Sequence, residues 1–349
     1  MLDNMGFDCR LKPNIFAVLV EPANYTLDLI KNVYEPRRVE FAFIKGNSQA
    51  SAVESHTLSG ICALWRRLKA HDAVIINGYT GALCLIAIWL NILFFKKPMA
   101  LDSDTELRIP ANKVKRLAKR AWLHFLFTRK YCYGFAGGNY GHKQLFRYYG
   151  MAEERIFLMP MMVDNDKYKR DLPDSPHNPF RFGYLGRLVS HKQIDKVIEA
   201  LPEGCELHIV GNGEDRLKLE AMANGKKVVF HGKAFGDEKI KLLHSLDCLV
   251  LYSSYEPWGL VVNEALASGI PVIVSDKVGA KKDLVEGSRP TGIVVPTDDT
   301  STLAVAMQEM ATQADLWKGF SKNAVARMMN WDYKLYVRNF DSWVKTGCK

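Results

Sequence analysis

Two doubly wound α/β domains in one chain are the fold class this sequence predicts, and three observations predict it. The chain has 349 residues, 48% hydrophobic and 24% charged, which is enough for two separate cores. Short apolar runs alternate with helical patterns along the whole chain, the signature of parallel sheets wound with helices. A segment with three prolines, DLPDSPHNP at Asp171 to Pro179, separates one series of such units from the next and reads as a linker.

The first series places strands at Ile15 to Val20, Val39 to Ile44, Ala73 to Ile76, Pro98 to Leu101, Tyr133 to Ala136 and Ile156 to Met159. The run at Ile15 is six residues long and ends at Glu21, too short for a signal peptide, so it is read as a buried strand. The apolar run Gly81 to Phe95, flanked by Lys96 and Lys97, falls short of the ~20 residues that a membrane span needs. Strands on both sides make it a crossover helix buried in the core; a helix dipping into a membrane surface is the alternative. The second series places strands at Phe180 to Leu185, Glu206 to Val210, Lys227 to Phe230, Cys248 to Tyr252, Val272 to Ser275 and Gly292 to Val295, and helical stretches follow at Ser301 to Ala311 and Tyr333 to Val344. The domains expected are 1–170 and 171–330, with a final helix in 331–349.

Charge is unevenly spread. Of a formal net charge of +9, residues 1–165 carry +8, with 22 Lys/Arg against 14 Asp/Glu, so the first domain is the one suited to an acidic partner. Between Glu106 and Glu153 stand ten basic residues and no acidic one. On a helix, Val114, Leu117, Ala118, Ala121 and Phe125 form one apolar face, with Lys113, Lys115, Arg116, Lys119 and Arg120 around it and Trp122, Phe127 and Tyr131 nearby. Such a helix suits an anionic membrane surface or, equally, a solvated face packed on its own domain. No nucleic-acid module accompanies it, so nucleic acid is not expected as a partner. Seven scattered cysteines without a C-x-x-C pair fit reduced thiols in a cytoplasm and no sulfur-held metal.

The chemistry concentrates in YSSYEPWGLVVNEALASGIPVIVS, Tyr252 to Ser275. An apolar strand ends in an acidic turn at Glu256-Pro257, a helix follows through Glu264, and Gly269 stops it before the next strand. The turn then lies at the carboxyl edge of a parallel sheet, where open α/β folds bind ligands. Backbone N–H groups of Trp258, Gly259 and Leu260 would open the helix and favour a phosphate, while Glu256 and Glu264 would accept hydrogen bonds from sugar hydroxyls. An exposed turn acid and a helix-surface acid are the simpler account of the two glutamates if the segment is taken alone.

The segment EPWGLVVNE, followed by ALASGIPVI, resembles the E-(seven residues)-E signature of retaining glycosyltransferases with the GT-B fold, the glycosyltransferase family 4 or group 1 type. The resemblance implies two Rossmann-like domains facing a central cleft, with the last helix crossing back to the first domain. It implies that Glu256 contacts the transferred sugar and Glu264 the donor's ribose. It also gives Gly186, Arg187 and Lys192, in FRFGYLGRLVSHKQ, the task of holding the donor's diphosphate. Physical reasoning agrees independently, because two fixed cations at a strand's carboxyl end neutralise charge on a leaving nucleotide. Gly213, in the turn Gly211-Asn212-Gly213, and Lys233, after His231-Gly232, match the base-holding loops. The glycine turn is not a full G-x-G-x-x-G, since Arg216 occupies the last position. At the end of the first domain, Gly137 and Gly138 allow close approach of a ligand or simply form a tight turn, and the segment closes in Val163-Asp164 as the family's does.

Asp102 and Asp104 form a D-x-D after the strand at Pro98. In another glycosyltransferase fold that pattern holds a metal. Here it would leave the second half of the chain unexplained, so the two acids are read as cleft-facing groups that orient an acceptor hydroxyl, where many relatives carry a histidine. The expectation is therefore a metal-independent glycosyltransferase with a nucleotide-sugar as donor substrate and no separate cofactor. Its acceptor is a glycan or lipid-linked molecule of cell-surface polysaccharide synthesis, and its place is the cytoplasm, peripheral to an anionic membrane. The alternative is a non-catalytic subunit that binds nucleotide-sugars or glycans in a membrane synthesis complex. A nucleotide-sugar epimerase lacks the acid and histidine set that proton transfer needs.

Overall fold

The computed structural model describes residues 13–19, 28–43, 58–79, 81–103 and 105–347. They divide into two compact units, residues 1–159 with 333–349, and residues 160–332. The division falls before the three-proline segment rather than on it, because residues 160–170 pack on the second unit. Asn263 donates to the Met161 carbonyl at 2.9 Å, and Arg170 to that of Ser268 at 2.9 Å.

Among the described residues the first unit holds a six-stranded parallel sheet: β1 (Ile15–Leu19), β2 (Glu40–Phe43), β3 (Ala73–Asn77), β4 (Met99–Ser103), β5 (Cys132–Ala136) and β6 (Ile156–Leu158). Their order is β2-β1-β3-β4-β5-β6. The inner strands are apolar runs rather than alternating ones, as burial on both faces requires. The helices are α1 (Leu58–Ala70), α2 (Ala82–Leu90), α3 (Lys113–Phe127) and α4 (Gly141–Tyr148).

The apolar run at Gly81 folds as α2 and one wider helical turn, Asn91–Phe95. Leu83, Cys84, Ala87, Ile88 and Ile92 enter the core, whereas Trp89, Leu93 and Phe94 are 41%, 61% and 60% exposed, so the run is only half a core helix. No helix among the described residues is long and apolar enough to cross a membrane. α3 bears on the two alternatives open for it. Leu123, Leu126 and Phe127 anchor it, while Val114 and Leu117, on its apolar face, are 77% and 70% exposed. The first two turns of α3 therefore carry an apolar stripe that no other element among the described residues covers.

The second unit begins at Pro160, with the short α5 (Asn165–Tyr168) ahead of its sheet. Its strands are β7 (Arg181–Leu185), β8 (Glu206–Val210), β9 (Val228–Gly232), β10 (Cys248–Leu251), β11 (Val272–Ser275) and β12 (Gly292–Val295), in the order β12-β11-β10-β7-β8-β9, all parallel. Its remaining helices are α6 (Ile194–Glu199), α7 (Arg216–Met222), α8 (Gly236–His244), α9 (Leu260–Ala267), α10 (Thr300–Thr312) and α11 (Ala314–Met328). The sequence reading missed α11. Gly319, Ser321 and Asn323 lower its helix propensity, although Trp317, Phe320, Ala324 and Met328 form a buried face. The last helix, α12 (Tyr333–Gly347), belongs to the first unit. Asn339 donates to the Leu158 carbonyl at 2.7 Å, Arg37 pairs with Asp341 at 3.2 Å, and the Trp343 ring meets Phe135 edge-on at 5.0 Å.

Candidate functional site

In the second sheet β7 and β10 lie side by side although two strands and three helices of sequence separate them. From β7 the chain winds outward through β8 and β9, and from β10 through β11 and β12. Connections leaving a neighbouring pair in opposite directions open a crevice at the strands' carboxyl ends. The loop after β7 carries Gly186 and Arg187; the turn after β10 carries Glu256 to Gly259.

Backbone packing fixes the first loop. Beyond the strands the ladder continues, with Gly186 N–H donating to the Val210 carbonyl at 2.9 Å and Gly211 N–H to that of Gly232 at 2.7 Å. A Cβ on Gly211 would lie 1.8 Å from the Gly186 oxygen, and one on Gly213 would lie 2.1 Å from the Leu188 oxygen. Leu188 is also tied to this turn, donating to Asn212 and accepting from Asp215, each at 3.1 Å. Gly211 and Gly213 thus hold the loop that presents Arg187. The Tyr184 hydroxyl donates to the Arg187 carbonyl at 2.8 Å. Burial first, and then the charge of Glu256, push the Tyr184 phenol up, so it stays protonated and remains a donor. The Arg187 side chain is exposed and makes no ion pair among the described residues.

Lys192 and Glu256 meet. Lys192 ends a single helical turn, Ser190–Lys192, and its ammonium donates to Glu256 Oε2 with 12% and 16% of the two side chains exposed. Neighbouring backbone binds the two loops, Ser254 N–H donating to the His191 carbonyl at 2.8 Å. Glu256 is held from its other side by the loop after β11, donating to Lys277 at 3.2 Å and accepting from Gly279 at 2.9 Å.

Three residues later α9 begins. Gly259 caps it at φ +92°, a left-handed conformation, and a Cβ there would sit 2.9 Å from Leu251 and 3.2 Å from the Glu256 side chain. The N–H groups of Leu260 and Val261 open α9 without an acceptor within the helix, while that of Val262 donates to Gly259, and the positive end of the helix lies in the turn after β10. Trp258 differs from the rest of the turn. Its indole is 3% exposed, donates to Asn263 Oδ1 at 2.8 Å and stacks on Trp331 at 5.7 Å. That side chain anchors the turn; Trp258 is buried as a whole, and Pro257 beside it is half-buried.

Glu264, one turn into α9, is 7% exposed and accepts from the Tyr168 hydroxyl at 3.0 Å and from Lys239 at 2.6 Å. Neither partner was legible beforehand. Lys239 reads as a surface lysine in the polar first half of α8, and Tyr168 lies almost a hundred residues from Glu264. Lys233 follows β9, exposed, with Phe235 two residues on and 71% exposed. The structure thus brings Gly186, Arg187, Lys192, Gly213, Glu256, Pro257, Gly259, Leu260 and Glu264 to one sheet edge, with Lys233 at the end of its outer strand.

Of the two acids in the first unit, Asp102 ends β4, where Asn77 donates to its Oδ2 at 3.1 Å and Gly78 N–H to its carbonyl at 2.8 Å. Asp104 lies outside the described residues. Among the described residues, no three His, Cys, Asp or Glu side chains gather in a way that would hold a metal ion.

Known proteins are similar to this chain in part of its sequence and in fold. Residues 165–327 match the family model described as glycosyl transferases group 1. A GDP-mannose-dependent alpha-mannosyltransferase of Mycobacterium tuberculosis is 36% identical over 126 residues, 36% of this chain and 32% of that protein. A glycogen synthase of the same species is 34% identical over 142 residues, covering 38% and 34%. The matched part therefore spans about a third of these relatives' length. In structure, the chain is similar to HepE of Anabaena in complex with UDP, with a TM-score of 0.78 at 17% identity over 95% of this chain and 100% of that one. The fold is GT-B, two Rossmann-like parallel-sheet units.

Proposed function

We propose that this protein is a retaining glycosyltransferase that moves a sugar from a nucleotide-sugar to a glycan or lipid-linked acceptor of cell-surface polysaccharide synthesis, a reading supported by the match of residues 165–327 to the glycosyl transferases group 1 model. One observation carries the reading: Arg187, which makes no ion pair among the described residues, the Lys192–Glu256 pair and the first N–H groups of α9 converge on the carboxyl edge of β7 and β10. Cations and a helix N-terminus suit a diphosphate, and the buried Glu264 suits a ribose. As the bond from sugar to diphosphate breaks, charge grows on the leaving phosphate, and Arg187 and Lys192 stabilise it without reorganising. Glu256 takes the transferred sugar's hydroxyls. Gly213 and Lys233 border the base, and UDP bound to HepE of Anabaena supports a nucleoside diphosphate as that ligand. Acceptor binding is assigned to the first unit, with Asp102 and Asp104 orienting the attacking hydroxyl and no metal taking part.

The exposed stripe of α3 and the exposed Trp89, Leu93 and Phe94 of the α2 segment support peripheral docking on the anionic cytoplasmic face of a membrane, in keeping with a lipid-linked acceptor. The test is to supply UDP-glucose and GDP-mannose with polyprenyl-linked acceptors and to read the anomeric configuration of the product by NMR. Transfer with retention is expected; an inverted product or donor binding without transfer contradicts the reading.

A further inference from the structure

A depression of about 550 Å³ lies in the first unit, and none of the donor residues lines it. Its floor and walls come from Ile109 in the loop before α3, from Lys113, Arg116, Leu117 and Arg120 on α3, and from Tyr148 at the end of α4. The four α3 residues fall at i, i+3, i+4 and i+7, so they share one face. Ile109, Leu117 and Tyr148 are 48%, 70% and 47% exposed.

The charge around this hollow is unbalanced. Lys113, Arg116 and Arg120 make no ion pair among the described residues. No acid occurs in the sequence between Glu106 and Glu153, and Glu153 is already held by Arg147 in two bonds of 2.6 Å. The neighbouring Lys119 is held on the wall, donating to the Arg108 carbonyl at 2.8 Å over the Tyr149 ring. Three cations set beside exposed apolar side chains in a concave site match one ligand chemistry, a phosphate carried on a hydrocarbon chain.

We infer that this depression is a binding site for a single phosphate-bearing amphiphile, its phosphate on Arg116, Arg120 and Lys113 and the first part of its chain on Leu117, Ile109 and Tyr148. The inference deepens the membrane-facing part of the proposed function and rests on it, but it does not depend on sugar transfer. It differs from general attraction to an anionic surface in that position matters, not only charge.

Two double variants of equal charge separate these cases. Arg116→Gln with Arg120→Gln removes two lining cations; Lys115→Gln with Lys130→Gln removes two exposed cations of the same basic stretch that do not line the hollow. Calorimetric titration of the full chain with monomeric decyl phosphate should show saturable one-site binding. It should be about tenfold or more tighter than for inorganic phosphate or for uncharged decyl glucoside. The lining pair should lose about tenfold or more while the other pair keeps wild-type affinity. Leu117→Ser should weaken decyl phosphate and leave inorganic phosphate unchanged. Vesicles containing phosphatidic acid should compete with decyl phosphate, and phosphatidylcholine vesicles should not. UDP binding, measured on each variant, should stay at the wild-type level, which separates failure of this site from failure of the donor site. Equal losses in the two double variants, inorganic phosphate binding as tightly as decyl phosphate, or absence of saturation would each overturn the site.

Discussion

Lys192 and Glu256 form an ion pair across the two loops that flank the switch between β7 and β10. Without a ligand each group satisfies the other, so a diphosphate has to compete with Glu256 for Lys192. Glu256→Gln should therefore bind a nucleoside diphosphate more tightly than wild type, by about fivefold, while transferring sugar at a small fraction of the rate. Lys192→Ala should weaken binding and turnover together. Calorimetry with UDP and GDP, beside initial rates, checks both; weaker nucleotide binding by Glu256→Gln would mean that the carboxylate itself serves the diphosphate.

Close packing of glycine backbones sets the position of Arg187. Gly211→Ala and Gly213→Ala would each drive a Cβ into a carbonyl oxygen and should destabilise the second unit by about 1–3 kcal/mol. Gly319→Ala, in α11 with nothing within 4 Å of the added carbon, should instead gain about 0.5–1 kcal/mol. Thermal unfolding of the three variants tests the contrast, and a neutral Gly211→Ala would remove the packing argument.

On the proposed reading, helix N–H groups and two basic side chains balance the donor's diphosphate, so EDTA should leave transfer close to its untreated rate. A strict need for manganese or magnesium, lost in Asp102→Asn or Asp104→Asn, would move the metal-holding role to the D-x-D.

His208 and His231 bridge β8 and β9, Nδ1 to Nε2 at 3.0 Å, with Glu206 Oε2 3.3 Å from the far side of His208. Burial first, and then the neighbouring His208, hold the His231 imidazole below its ordinary 6.5. The folded state thus binds the proton less readily than the unfolded state does. Stability from this site is present above pH 6.5 and is lost as pH falls below it toward the lowered folded value. Urea midpoints at about pH 7.5 and about pH 5.5 should differ more for wild type than for His231→Gln. An unchanged difference would assign the acid sensitivity elsewhere, His244 being the next candidate because burial also lowers it.

Much of the architecture was legible because parallel strands buried on both faces must be short apolar runs, and all twelve such runs became strands. Local patterns also put Arg187 and Glu256 after strands, Lys192 before a helix and Glu264 inside one, where the structure has them. What the sequence withheld were relations between distant positions. The pairing of Lys192 with Glu256, and the grip of Tyr168 and Lys239 on Glu264, come from the order of the strands, which no local pattern encodes. The stripe on α3 was visible as amphipathic, but periodicity alone does not tell whether an apolar face meets its own core or remains uncovered, as Leu117 does.

The central claim, that the carboxyl edge of β7 and β10 grips a donor's diphosphate through Arg187 and Lys192, is tested most directly by calorimetric titration of wild type, Arg187→Ala and Lys192→Ala. UDP and GDP would be compared with uridine and guanosine. At least one diphosphate should bind wild type, with about tenfold or greater loss in either variant, and turnover should fall by about 100 to 1,000-fold. The matching nucleoside, which lacks the phosphates, should bind all three proteins alike. Equal diphosphate affinity in wild type and both variants would contradict the account.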